Sequence, residues 1–115
     1  MMERRSVSAE SRGVARLLGQ LGLAARAGRL RVGMDAVEES VRRGEARAVI
    51  VAADASAGTE RRIGRLLSGR PPGCKVVVDG DRLGHAVGRS RVVVVAVTDS
   101  SLARRVLALA GPVEG

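Results

Sequence analysis

The chain has 115 residues, with 20 Lys or Arg against 12 Asp or Glu, a formal net charge of +8, and not one Phe, Trp or Tyr. This length argues for one domain with a core large enough to fold without staples, and the missing rings exclude base-stacking platforms and aromatic cages for quaternary amines. One Cys and one His exclude an intrachain disulfide and a zinc site.

Residues 1–10 are polar and read as a flexible N-terminal tail. Ser11 is expected to cap a helix over 11–27, because Val14, Leu17, Leu18 and Leu21 follow the i, i+3, i+4, i+7 pattern of one buried face. Gly28 is its natural stop. An extended piece, 29–32, leads to Gly33, which turns the chain into a helix over 34–43 with Met34, Val37 and Val41 inward and Gly44 at its end. The apolar run 48–53 reads as a strand. A third helix, 57–67, buries Ile63, Leu66 and Leu67, and Pro71-Pro72-Gly73 breaks the chain. Residues 75–79 read as a strand. Asp81 is the expected N-cap of a short helix over 82–87, with Gly88 behind it. Residues 91–98 form the last strand. Ser100 is expected to cap a final helix over 101–110, which Gly111-Pro112 stops.

The strands are apolar throughout instead of alternating, so both faces of the sheet should be covered. Helices and strands alternate along the chain. The expected fold is therefore α/β, a three-layer α/β/α sandwich with a central mixed sheet of about four strands. Residues 11–111 form its single domain and 112–115 a C-terminal tail.

Enzyme signals fail one by one. Residues 28–33 have P-loop glycine spacing, but Met34-Asp35 follows where Lys and Ser or Thr are needed. No G-x-G-x-x-G and no G-x-S-x-G is present. His85 reads as a solvent-facing helix residue and Cys74 as a structural thiol. Gly84-His-Ala-Val-Gly88 spells G-x-x-x-G, which lets a neighbouring element approach closely. No catalytic residue, cofactor or metal is expected. The apolar runs 48–53 and 92–97 are too short to cross a membrane, and the polar start does not resemble a signal peptide. With its single Cys, the chain is expected in the reducing cytoplasm.

Nineteen of the 20 basic residues are Arg, with Lys75 alone. A GC-rich genome would give this bias. So would phosphate binding, since the guanidinium fork fits phosphate oxygens. Glu38–Arg42 and Glu39–Arg43 have the i, i+4 spacing of a solvated, ion-paired face. The better phosphate candidates are Arg29 and Arg31, which lead into Gly33, where a helix N-terminus offers free N–H groups. Arg89 and Arg91, flanking Ser90 after Gly88, are the others.

The runs 21–28, 32–33, 48–56, 83–88 and 92–99, in that order and spacing, are similar to the ribosomal-protein L-seven-Ae/L-thirty-e superfamily, most closely its bacterial YlxQ-like branch. The resemblance covers residues 14–110. It implies a non-catalytic protein of ribosomal type that binds structured RNA, either rRNA or ribosome-associated RNA, with protein partners in ribosome or translation complexes. Many relatives bind kink-turns through three segments. Here those are 33–39 with Gly33, Met34, Asp35 and Glu39, then 54–56 with Asp54 and Ser56, then 88–91 with Gly88, Arg89, Ser90 and Arg91. Kink-turn binders usually carry Gly-x-Asn-Glu-x-x-Lys at the first segment. Asp35, Ala36 and Glu39 stand at the Asn, Glu and Lys positions. An amide donor, an acceptor for guanine N–H groups and a positive charge are thereby lost, which argues against high-affinity reading of a standard kink-turn. The acidic pair would suit a protein-interaction adaptor with a basic partner. The fold would also suit an accessory RNA-recognition subunit of an RNA-modifying enzyme.

Overall fold

A computed structural model describes residues 2–68 and 71–110, and of residues 2–11 the backbone alone. Its elements in chain order are α1 (Met2–Arg26), β1 (Leu30–Val32), α2 (Met34–Arg42), β2 (Ala48–Val51), α3 (Ala57–Leu67), β3 (Gly73–Lys75), α4 (Gly80–Ala86), β4 (Val94–Val97) and α5 (Ser100–Ala110). The strands form one sheet in the order β1-β4-β2-β3. β4 is antiparallel to both neighbours, and β2 is parallel to β3. The sheet is therefore mixed and four-stranded, as expected.

The two central strands are buried at every position. Successive side chains point to opposite faces, and each face has its own core. Ala48 and Ile50 of β2 join Val95 and Val97 of β4 on the face covered by α1, α4 and α5, through Leu17, Leu21, Leu83, Ala103 and Val106. Val49, Val51, Val94 and Ala96 face α2 and α3, through Val37 and Ile63. This is the three-layer sandwich, and it explains why the strands lack alternation.

Several boundaries differ from the sequence reading. α1 begins at Met2, so Ser11 lies inside the helix and the backbone of 2–10 continues it. That stretch contains no Gly or Pro, and polarity alone does not oppose a helix. Residues 112–115 lie outside the described residues. β3 ends at Lys75, where its ladder partner β2 ends at Val51. Beyond it Val76 and Val78 are buried while Val77 is 76% exposed, so the Val run lines the sheet end without extending the ladder. Asp79, not Asp81, caps α4: its carboxylate accepts the Arg82 N–H at 2.9 Å. Asp99, not Ser100, accepts the Leu102 N–H at the start of α5, at 3.0 Å.

Strand directions decide what meets at each end of the sheet. The C-terminal ends of β1, β2 and β3 and the N-terminal end of β4 lie together. Gly33 N–H donates to Val94 O at 3.0 Å, Ala53 N–H to Val78 O at 2.8 Å, and Val92 N–H to Gly80 O at 2.9 Å. The opposite end carries the Thr98 N–H to Arg29 O bond at 2.9 Å and the Arg47 N–H to Val97 O bond at 2.7 Å.

Candidate nucleic-acid interface

Segments 33–39, 54–56 and 88–91 all belong to the first of these two ends. Gly33 caps α2 at φ 94° and ψ 158°, and no side chain caps the helix there. Only Gly adopts such a backbone without strain, and its bare Cα leaves the first turn of α2 open to an approaching group. Met34 packs against the core beside Val37. Ser56 caps α3, accepting the Thr59 N–H at 3.1 Å.

Asp54 joins the second and third segments. One carboxylate oxygen accepts the Gly80 N–H at 2.9 Å, and the other lies 3.1 Å from Arg91 Nη2. Arg91 Nη1 lies 3.5 Å from Asp81. Desolvation works to raise the Asp54 pKa, but the Gly80 N–H and the Arg91 guanidinium outweigh it and hold the carboxyl below its usual range. The same pairing holds Arg91 above its usual value. The loop is also set by shape. A Cβ on Gly84 would lie 2.8 Å from Arg91 N, Arg91 Cα and Ser90 O. The G-x-x-x-G spacing therefore does admit a neighbour, namely the backbone of 90–91. Gly88 turns the chain at φ 81°, and Arg89 N–H donates to Gly84 O at 2.7 Å.

The acidic residues of α2 are partnered. Arg42 pairs with Glu38 at 2.6 Å and Arg43 with Glu39 at 2.8 Å, as the i, i+4 spacing suggests. Arg62 reaches across from α3 to Glu38 and comes within 3.9 Å of Asp35. The Arg62 hydrogen bond, with help from Arg42, lowers the Glu38 pKa despite partial desolvation. Three carboxylates thus face three guanidiniums, and the surface is a zwitterionic row, not an acidic patch. Asp35 is the most open of them, with a fully exposed side chain.

The four candidate arginines separate. Arg89 is exposed at the edge of the shared end. Arg91 is there too but held by Asp54 and Asp81. Arg29 sits at the opposite end of the sheet, with its carbonyl bonded to Thr98. Arg31 folds back toward that same end, donating to Gly28 O at 3.3 Å and Leu30 O at 3.2 Å. His85 is exposed and Cys74 buried, and burial pushes the Cys74 thiol up.

The profile of the ribosomal protein L7Ae/L30e/S12e/Gadd45 family matches residues 15–106. The chain belongs to this family. It is 34% identical over 89 residues to the RNA-binding protein YlxQ of Bacillus subtilis (strain 168), covering 77% of this chain and 89% of that protein. It is a YlxQ-like member of the family, as the sequence runs implied. A solved protein of unknown function from Bacillus halodurans C superposes with a TM-score of 0.80 at 32% identity, covering 85% of this chain and 99% of that one. The Giardia lamblia 15.5kD RNA binding protein superposes with a TM-score of 0.71 at 23% identity, covering 87% and 86%, a likeness of fold. Among the described residues no helix is long and apolar enough to cross a membrane.

Sequence reasoning missed the residues that tie these family segments together. Arg62 sits 24 positions from Glu38, and Asp54 sits 26 from Gly80. No local period marks such pairs. The one available signal was Asp79-Gly80-Asp81, where two carboxylates flank a glycine at a helix start.

Proposed function

We propose that the chain is a non-catalytic RNA-binding protein. It acts in the cytoplasm and docks structured RNA, ribosomal or ribosome-associated, against the sheet end built from 33–39, 54–56 and 88–91. The observation that carries this reading is the convergence of those three segments at one end of the sheet in a chain of the L7Ae family. The name of the Bacillus subtilis relative, an RNA-binding protein, supports it.

The chemistry suits recognition by shape and backbone. Gly33 permits close approach. The uncapped first turn of α2 offers N–H groups and partial positive charge to a phosphate. Arg89 and Ser90 stand exposed beside it. Asp35, Ala36 and Glu39 supply none of the base-reading groups that kink-turn binders carry, so the RNA shape read here differs from a standard kink-turn. The zwitterionic row gives a basic protein partner little net charge to grip, which favours RNA over the adaptor reading.

The test is capture of RNA from lysate at low salt by the purified chain. A protein of equal net charge and unrelated fold serves as control. The expected result is enrichment of structured RNA over the control, with log affinity falling against log salt by about 0.7–0.9 per phosphate contacted. Enrichment no greater than the control overturns the proposal.

A further inference from the structure

The groove between α1 and α4 lies apart from the sheet end just described. It encloses about 580 Å³, and its lining includes Gly19, Gly22 and Arg26 from α1 with Arg82, His85 and Ala86 from α4. Its two glycines do different things. A Cβ on Gly22 would lie 3.0 Å from the Ala86 carbonyl, so this glycine lets the helices approach. A Cβ on Gly19 would meet nothing within 4 Å. Gly19 serves no packing contact, although a glycine inside a helix costs roughly 1 kcal/mol relative to Ala. It lines the groove without adding a side chain to it.

The groove is also basic. Arg26 and Arg82 are exposed, and among the described residues neither pairs with a carboxylate. Asp81 also lines the groove, and its carboxylate lies 3.5 Å from Arg91. His85 follows Arg82 at i+3, on the same side of α4. The loop 88–91 follows α4 directly, with Arg89 N–H bonded to Gly84 O.

We propose that this groove is a second RNA-backbone contact. Arg26 and Arg82 grip a phosphate of the strand that leaves the loop 88–91. The inference rests on the RNA-binding reading above. A guanidinium from each helix presents its planar fork to phosphate oxygens, and the open floor at Gly19 gives the backbone room to enter.

The experiment titrates purified ribosomal RNA with the full chain across a salt series. The wild type is compared with Arg26→Gln/Arg82→Gln and with a same-charge control, Arg61→Gln/Arg65→Gln, on α3 across the sheet. All four side chains are exposed, and circular dichroism checks that each variant folds. The groove variant is expected to reduce the steepness of the salt dependence by about 0.7–0.9, the value for one phosphate contact, with the control variant matching the wild type. Equal slopes for wild type and groove variant overturn the second contact while leaving the RNA reading intact. Equal losses in both variants also overturn it, because the effect is then bulk charge. No binding by the wild type removes both.

Discussion

The same substitution, Gly to Ala, should move stability in opposite directions at two helix positions. At Gly84 the new Cβ would sit 2.8 Å from three backbone atoms of residues 90–91, whereas ordinary contact begins at 3.4 Å. Loop and helix must therefore separate by about 0.6 Å, in an interior that yields little. Overpacking of this kind costs roughly 1–3 kcal/mol. Ala recovers up to about 1 kcal/mol of helix propensity. The balance is a loss on the order of 1 kcal/mol, or about 4 °C in melting temperature for a chain of this size. At Gly19, where nothing lies within 4 Å, only the propensity term remains, and Gly19→Ala gains up to about 1 kcal/mol. Thermal melts followed by circular dichroism at 222 nm measure both, since the chain has no aromatic residue for fluorescence. If Gly84→Ala melts at or above the wild type, the wedge between α4 and the loop is not the tight contact described.

Three further expectations follow from the electrostatics and burial. Asp54 has a lowered pKa in the fold, so its stabilisation is present above the unfolded value of about 3.9 and is lost as pH falls through the folded value. Asp54→Asn should lower the melting temperature at pH 7, with the gap to wild type closing in acid; a gap that is constant with pH refutes the pairing. Asp35→Asn with Glu39→Lys should raise affinity for a standard kink-turn stem-loop in a gel-shift titration with little change in melting temperature, because Asp35 is fully exposed and the Glu39–Arg43 pair lies at the surface. Cys74, 7% exposed with its thiol pushed up by burial, should resist thiol reagents in the native protein and react fully only once denatured.

The layers were legible in the sequence because they follow from side-chain character. The apolar runs around Ile50 and Val95 read correctly as strands covered on both faces. Leu17 and Leu21 read correctly as the inner face of a helix, and Ile63 and Val37 did the same for their own. Features set by backbone partners were not legible. The Val76–Val78 run has strand propensity, yet the ladder stops where β2 stops. Two Asp residues flank Gly80, and Asp79 takes the cap because α4 starts at Gly80, whose N–H is bonded to Asp54. Among the candidate site residues, the glycine turns could be found from the sequence. Of the arginines, Arg89 stands exposed at the shared end; Arg29 lies at the far end of the sheet, Arg31 turns its side chain back to Gly28 O, and distant carboxylates claim Arg91. Of the acidic pair on α2, Glu39 has the Arg43 partner that the i, i+4 spacing gives, while the approach of Arg62 to Asp35 comes from another helix and leaves no local signal.

The loop 88–91 is wedged against Gly84 and fastened at Arg91 by two carboxylates. Its shape therefore exists before any ligand arrives. Ordering on contact is confined to tips such as the Arg89 side chain, at about 0.5–1.5 kcal/mol for each one immobilised. Association then needs no folding step at this edge, so the encounter rate is set by diffusion and charge. Discrimination between RNAs falls to how well a ligand fits a surface that does not bend to meet it.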